Sequence, residues 1–289
     1  MARFIVYTYQ FSPIVNFHTR IGEDILSMQE RMDRKQEFFQ NILDELIQND
    51  RIHFRYRNRE YNHLSRINER GIVILKLANN TNAFIEQDFH REALPNHPSC
   101  FIIIDNRQDV QHILIEDKAE AFTSTDVVKS ILSTSFAHWL EEYGLEITIN
   151  KAYQEREFWD TIRQYPQGIQ MVRFQMSYPN LPAVWHSVGD MIRESSLETN
   201  SHKTSIEFHS QQGELLTLDE HNENLNGLVN ASAEGGIPIV LKVSGFRAHK
   251  KTGTTEKSIE IDSLEAVMQP NMFQNAFERI SECLNGIFR

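Results

Sequence analysis

A chain of 289 residues has room for about two domains, and its 40% apolar and 24% charged residues predict a packed core rather than a disordered chain. With only 12 glycines and 8 prolines, the chain cannot be collagen-like or consist mainly of linker. The net charge of −11 excludes a protein that is coated on all sides by nucleic acid or that lies flat on an acidic membrane.

The two cysteines and the first residues predict a cytoplasmic location. Cys100 and Cys283 have no zinc-ligand spacing, and a secreted protein of this size more often carries several disulfide pairs. The first residues, MARFIVYTYQFSP, lack the apolar core and cleavage site of a signal peptide and are typical of a β-strand. Since no apolar run approaches the roughly 18 residues that span a bilayer, no membrane partner is expected.

An amphipathic helix is predicted from residue 23 to residue 48, where apolar residues recur at spacings near three and four. Glu23 and Asp24 would stabilise its start by opposing the positive end of the helix dipole. Burial of the apolar stripe against the protein's own sheet is the favoured interpretation. A coiled-coil seam that joins two copies of the chain is the alternative.

The rest of the first half alternates strands and helices. Strands are expected at 51–56, 61–66 and 72–77, then a loop at 93–99, and then a hairpin of residues 100–105 and 110–116. A helix that begins at residue 123, 124 or 125 is expected to end at Gly144, because glycine favours the left-handed conformation that follows many helices. A strand at 145–149, a short helix around Phe158 and a strand at 169–176 follow.

The segment YPNLP at 178–182 is the predicted domain boundary, because its two prolines interrupt regular structure. It would separate an N-terminal domain (1–180) from a C-terminal domain (181–289). The second domain is expected to contain a helix at 183–194, a hairpin of 205–209 and 215–218, a helix at 224–233, strands at 238–243 and 258–261, and a final amphipathic helix. The predicted fold class is α+β, with mixed, largely antiparallel sheets covered by helices.

A row of basic residues gives the clearest functional signal. If 51–59 is one strand, alternate side chains share a face, and that face carries Arg51, His53, Arg55, Arg57 and Arg59. Neighbours on it would be about 6.6 Å apart, which suits the phosphates of an extended nucleic-acid strand. Seven Lys and Arg residues but two Glu lie between positions 51 and 76. This favours nucleic-acid binding on one surface; the alternative is an edge strand that is charged to prevent aggregation.

A second basic cluster contains Arg247, Lys250 and Lys251, between two predicted strands. A hairpin tip of this composition can contact phosphates through charge and backbone N–H groups. The alternative is an ordinary solvated loop.

The central hairpin offers a candidate catalytic site. Asp105 ends its first strand, and Glu116 and Lys118 end its second, an arrangement similar to the Asp…Glu-x-Lys hairpin of the PD-(D/E)xK nucleases. That resemblance implies that Asp105 and Glu116 hold Mg²⁺ and that Lys118 helps to activate water. Asp109 is a second candidate for the first ligand. The alternative is two strand ends with solvated charges.

Three segments, FIIID at 101–105, HILIE at 112–116 and VRFQMSYPN at 172–180, carry a wider resemblance. They are similar to uncharacterised bacterial protein families whose genes lie beside phage-defence and mobile-element genes. The resemblance implies a role in anti-phage defence, with a partner protein in the same system, but it assigns no catalytic residues.

The main hypothesis is therefore a cytoplasmic nucleic-acid-binding protein, such as a DNA-binding component of a defence system. One alternative is a Mg²⁺-dependent nuclease that uses the central hairpin. The other is a module that binds a partner protein, through its acidic surface or the 23–48 helix, without any affinity for nucleic acid.

Overall fold

The structure, a computed structural model, describes residues 2–15, 17, 26–49, 52–67, 71–107, 110–177, 195, 199, 203–262, 264, 278 and 280–285. It has the predicted α+β fold, in which antiparallel strand pairs predominate. Among the described residues, the helices whose two ends are both described are α1 (Met28–Asp33), α2 (Lys35–Gln48), α3 (Thr125–Leu140), α4 (Arg156–Gln164) and α5 (Glu223–Glu234). None of the helices in the described part of the chain is long and apolar enough to cross a membrane.

The strands are β1 (Ala2–Pro13), β2 (Phe54–Tyr56), β3 (Arg59–Tyr61), β4 (His63–Ile67), β5 (Ile72–Ala78), β6 (Thr81–Gln87), β7 (His90–Asn96), β8 (Ser99–Asp105), β9 (His112–Glu116), β10 (Leu145–Lys151), β11 (Ile169–Ser177), β12 (Lys203–His209), β13 (Val240–Val243), β14 (Lys250–Lys251) and β15 (Ser258–Ile261). The main sheet has the order β10-β1-β9-β8-β5-β4, and β15 also pairs with β1. A four-stranded sheet has the order β12-β11-β13-β14, while β2-β3 and β6-β7 are separate two-stranded hairpins.

The chain divides into two compact units. The first contains residues 1–5, 13–147 and 258–289, and the second contains residues 6–12 and 148–257. The second unit thus continues across position 180. The predicted boundary segment, 178–182, lies outside the described residues, so a division there stays a prediction.

The core of the first unit lies on both faces of its sheet. Strands β5 and β8 are buried at almost every position, the pattern of a sheet that is covered on both sides. One face carries an apolar cluster in which Ile74 and Ile103 pack with Leu284. Helices α2 and α3 pack together beside strands β4 and β9, with the rings of Phe39 and Phe136 5.0 Å apart.

The core of the second unit forms between its antiparallel sheet and two helices. Phe158 of α4 and Leu228 of α5 pack against Val172, Phe174 and Leu241 of the sheet. The strand predicted at 215–218 is wrong: these residues are not in a strand, and β12 pairs instead with β11, with His209 opposite Met171.

The predicted 23–48 helix is two helices. A break at Arg34 (φ −98°, ψ 7°) separates them, and α1 starts only at Met28, where Ser27 and Glu30 form a capping box. Residues 23–25 lie outside the described part of the chain. Phe39 and Leu46 of the apolar stripe are buried, as the favoured interpretation predicts. Because they are buried within the chain, these two residues cannot form an exposed coiled-coil seam with a second copy.

The α3 helix follows the sequence prediction closely. It spans Thr125–Leu140, a short 3-10 turn extends it to Tyr143, and Gly144 then takes the expected left-handed conformation at φ +65°. Cys100 and Cys283 are free thiols, and burial raises the pKa of the Cys100 thiol to about 12.

Candidate nucleic-acid interface

The basic segment is a tight hairpin rather than one strand. Strand β2 ends at Tyr56, a turn at Arg57 and Asn58 reverses the chain, and β3 begins at Arg59. Both turn residues have positive φ, +49° and +61°, as in the type I′ turns that suit the twist of paired strands. Of the strand predicted at 51–56, residues 54–56 are confirmed as β2, and residues 52 and 53 are not in a strand. A single strand that continues to Arg59 is wrong.

The hairpin changes which arginines share a face. Arg55 lies opposite Glu60, and Tyr56 lies opposite Arg59. Because opposed residues share a face and neighbours along a strand alternate, Arg55 and Arg59 project from opposite faces. Arg51 lies outside the described residues.

Three of the five predicted contact residues nevertheless meet at the turn. A concavity of about 490 Å³ is lined by Arg55, Tyr56, Arg57, Asn58, Arg59, Glu60 and Thr134. We call residues 55–60 the basic tip. Arg57 and Arg59 are exposed, and the Arg57 guanidinium lies 5.0 Å from the centre of the Tyr56 ring. Arg55 is 2.8 Å from Glu60, so part of its charge is already paired within the tip.

The basic tip stands on a rigid base. Phe54 is fully buried, and its ring contacts those of Phe136 and Trp139 on α3 at 5.8 and 5.3 Å. The Ser135 hydroxyl, also on α3, accepts a hydrogen bond from the Arg55 N–H at 2.8 Å and lies 3.3 Å from the Arg55 carbonyl oxygen, to which it can donate. One helix therefore fixes both the side chain and the backbone at the start of the tip.

His53 lies beside the basic tip in a separate pocket. This pocket of about 370 Å³, which we call the Trp139 pocket, is lined by Ile52, His53, Arg55, Thr134, Ser135, His138 and Trp139. His53 therefore does not join the arginines at the turn, although Arg55 borders both concavities.

The second basic cluster belongs to the second unit. Arg247 lies in the loop between β13 and β14, while Lys250 and Lys251 form β14. The Lys250 ammonium is 5.2 Å from the centre of the Phe246 ring, and Lys251 is exposed.

Lys250 and Lys251 line a cleft of about 530 Å³ together with part of α4. Glu157 in this cleft accepts hydrogen bonds from the Thr254 and Thr255 N–H groups at 3.0 and 2.8 Å. Burial acts to raise the pKa of the Glu157 carboxyl, but these hydrogen bonds outweigh it and lower the pKa below its ordinary value. The cleft thus mixes lysines with an ionised carboxylate, which suits a polyanion less well than the basic tip does.

The central hairpin is confirmed as β8 and β9, but it does not bring its two carboxylates together. Asp105 lies opposite His112 at one end, whereas Glu116 lies level with Phe101 at the other, and its carboxylate accepts a hydrogen bond from the Phe101 N–H at 2.8 Å. Four residues of strand separate the two positions, or about 13 Å. Two ligands of one Mg²⁺ would have to lie within about 5 Å of each other, since each bonds the ion at roughly 2.1 Å.

Asp105 has a structural partner instead. It is fully buried, and the Arg107 guanidinium contacts both of its carboxylate oxygens, at 2.8 and 2.6 Å. Lys118 follows the Glu116 end of the hairpin and cannot act on water at Asp105. Asp109 lies outside the described residues, among which no group of three or more His, Cys, Asp or Glu side chains is placed to hold a metal.

The hairpin of β6 and β7 is not predicted by the sequence, and the loop expected at 93–99 is wrong at residues 93–96, which belong to β7. Pro95 argued against a strand there, yet it lies within β7 opposite Asn82, in an isolated hairpin whose edges accept proline. The turn residues Asp88 and Phe89 both have positive φ, which phenylalanine rarely adopts, so no turn signal marks this position.

Comparison of the chain with models of known protein families finds no match, and comparison with curated proteins finds none either.

Proposed function

We propose that this protein binds nucleic acid through phosphate contacts at the basic tip. The observation that carries the proposal is the grouping of three arginines around one anchored turn, with Arg57 and Arg59 both exposed. A planar guanidinium offers paired N–H donors that match two phosphate oxygens, which makes arginine well suited to a phosphate backbone.

Arg57 and Arg59 are the main contacts in this proposal. Both are exposed, and neither has an acidic partner among the ion pairs of the described residues. The Tyr56 ring supports the Arg57 guanidinium without neutralising it. Asn58 at the turn adds a neutral donor and acceptor.

Charge distribution also supports the proposal. Three arginines and one glutamate give the basic tip a net charge of +2, in a chain whose total is −11. A polyanion would be attracted to the tip and repelled by most of the remaining surface, which would orient the encounter. Phosphate contacts carry no base information, so binding is expected to be largely independent of sequence.

The cellular role is part of the same proposal. The resemblance of residues 101–116 and 172–180 to families found beside phage-defence genes motivates a role in anti-phage defence. Two free thiols fit a reducing compartment such as the cytoplasm. The Mg²⁺ nuclease alternative loses its motivation, since Asp105 and Glu116 lie at opposite ends of their hairpin.

The test is fluorescence anisotropy with labelled single-stranded DNA, duplex DNA and RNA, in EDTA and across a salt series. The double variant Arg57→Glu/Arg59→Glu is compared with Lys129→Glu/Lys203→Glu, which makes the same change of charge at two lysines outside residues 55–60. Each phosphate contact contributes about 0.7–0.9 to the slope of log affinity against log salt. The tip variant should therefore bind more weakly, with a slope shallower by about 1.4–1.8, while the control keeps the wild-type slope.

Two results would contradict the proposal. Equal losses in the tip variant and the control would mean that total charge matters and the tip does not. No binding of any of the three nucleic acids by the wild-type protein, even at low salt, would leave a protein partner as the function to pursue.

A further inference from the structure

The β6-β7 hairpin, which we call the arm, exposes nearly all of its side chains. Its turn consists of Asp88 and Phe89, at φ +51° and +63°. Phe89 is 98% exposed, although it is a large apolar residue. Every described side chain of β7 is exposed as well.

Apolar residues occupy both faces of the arm. Phe84 is 57% exposed on one face, where the Arg91 guanidinium lies 3.9 Å from the centre of its ring. Ile85 and Leu94 lie on the other face and are 50% and 43% exposed. A two-stranded hairpin is marginal in water by itself, so an arm with both faces uncovered is expected to be stabilised by a partner.

A complementary surface exists on the same unit of the same chain. The Trp139 pocket, at about 370 Å³, is lined by the aromatic residue Trp139 and by the nitrogen-bearing residues His53, Arg55 and His138. The arm has the opposite charge, because Glu86, Asp88 and Glu92 outnumber its one cation, Arg91, and give residues 81–96 a net charge of −2. The exposed ring of Phe89 lies at its turn. The Phe89 ring can pack against Trp139, and the carboxylates of the arm can accept hydrogen bonds from guanidinium and imidazole groups of the pocket.

We propose that the arm of one copy inserts Phe89 into the Trp139 pocket of a second copy, and that the arm of the second copy inserts its Phe89 into the Trp139 pocket of the first. Within one chain Phe89 is 98% exposed and so is not in its own pocket. A chain that carries both complementary surfaces can form a closed twofold dimer in which each contact occurs twice.

The size of the exchanged contact supports a stable dimer. Each copy contributes the 16 residues from Thr81 to Asn96 and the surface that receives the other arm. Together they approach the roughly 20–30 residues a side of a standard interface. The Trp139 pocket shares Arg55 and Thr134 with the concavity at the basic tip, but Arg57 and Arg59 do not line it. These two arginines therefore stay available to phosphate in the dimer.

The first test measures the oligomeric state of the full chain by sedimentation velocity over a concentration series. Phe89→Asp should raise the dimer dissociation constant by about 30-fold or more, as expected for a central aromatic anchor. Leu215→Asp removes an apolar side chain that is 47% exposed in the second unit and should leave the dimer intact. The Arg57→Glu/Arg59→Glu variant should also remain dimeric, which separates this proposal from the phosphate-binding one.

The second test identifies the pocket. A photo-crosslinking residue replaces Phe89 in unlabelled protein, which is mixed with isotope-labelled wild-type protein, irradiated and mapped by mass spectrometry. Crosslinks from unlabelled position 89 to labelled peptides that contain residues 52–55 or 134–139 are expected. A monomeric wild-type protein up to about 100 µM, an unchanged dimer in Phe89→Asp, or crosslinks confined to other surfaces would each overturn the proposal.

Discussion

The attachment of the basic tip to helix α3 can be tested with one hydroxyl group. Ser135 is 3% exposed, and its hydroxyl is the link between α3 and the backbone of Arg55. Ser135→Ala removes that hydroxyl and leaves the Arg55 N–H without its 2.8 Å acceptor. It changes no charge and no residue of the tip itself.

The structure sets the size of the effect. Leaving a buried hydrogen-bonding group without a partner lowers the free energy of unfolding by about 1–3 kcal/mol. The higher helix propensity of alanine relative to serine offsets about 0.5 kcal/mol of this loss. We expect the free energy of unfolding to fall by about 0.5–2.5 kcal/mol, with about 1–2 kcal/mol as the central range. Ser130→Ala on the same helix is the matched control, because the Ser130 hydroxyl only donates to the Asp126 carbonyl of its own helix, at 2.8 Å. That change should be neutral or slightly stabilising.

Two measurements follow the change. Urea unfolding gives the difference in stability between the two serine variants, which cancels their common change in helix propensity. Hydrogen exchange then reports the Arg55 region directly, and 1–2 kcal/mol corresponds to exchange that is faster by about 5–30-fold. If nucleic acid binds at the tip as proposed, Ser135→Ala should also weaken that binding, because a looser base orients the arginines less well.

The same two measurements could contradict the proposed role of the Ser135 hydroxyl. Stabilities of Ser135→Ala and Ser130→Ala that agree within about 0.5 kcal/mol, with equal exchange at Arg55, would mean that the hydroxyl does not hold the tip. The rigid base would then depend on Phe54 alone.

Two further predictions concern other parts of the fold. Gly144→Ala should destabilise the protein by about 2–4 kcal/mol in urea unfolding, because alanine disfavours φ +65°. Its Cβ would also collide with the Arg31 guanidinium and lie 2.7 Å from a Phe17 ring carbon. A loss below about 1 kcal/mol would contradict this prediction. Because hydrogen bonds lower the Glu157 pKa in the folded state, its stabilisation is present above the unfolded pKa near 4.5 and is lost as pH falls through the folded value. Glu157→Gln should therefore cost up to about 1 kcal/mol at pH 7 and progressively less as the pH falls and the carboxyl becomes protonated. A cost in urea unfolding that stays the same on acidification would refute the assignment.

Buried residues that the sequence could not identify also shape the first unit. Arg31 is 6% exposed, and its guanidinium donates to the carbonyl oxygens of Gly144 at 2.8 Å and of Ile14 at 3.2 Å. Burial lowers the pKa of this guanidinium. On the sequence Arg31 is one charged residue beside the apolar stripe of the predicted helix. Its role depends on two carbonyl groups that are distant along the chain.

Elements whose signals are local can be predicted from the sequence. The 3.6-residue period of α3, the left-handed Gly144 that ends it and the apolar runs of β8 and β9 each depend on a few neighbouring residues, and all are present in the structure. The fold class follows from the order of such elements. The basic character of 55–59 is likewise a property of composition.

How those residues are arranged depends on tertiary packing. Alternation of side chains with a period of two is the same in one long strand and in two short ones. The reversal at Arg57 therefore depends on long-range contacts, namely the burial of Phe54 against α3 and the pairing of β2 with β3. The same limit applies to Asp105 and Glu116, whose separation depends on strand register and not on their spacing along the chain. Local pattern specifies which residues form an element. Long-range packing specifies where the chain turns and which side chains meet, because those choices are set by contacts between distant segments.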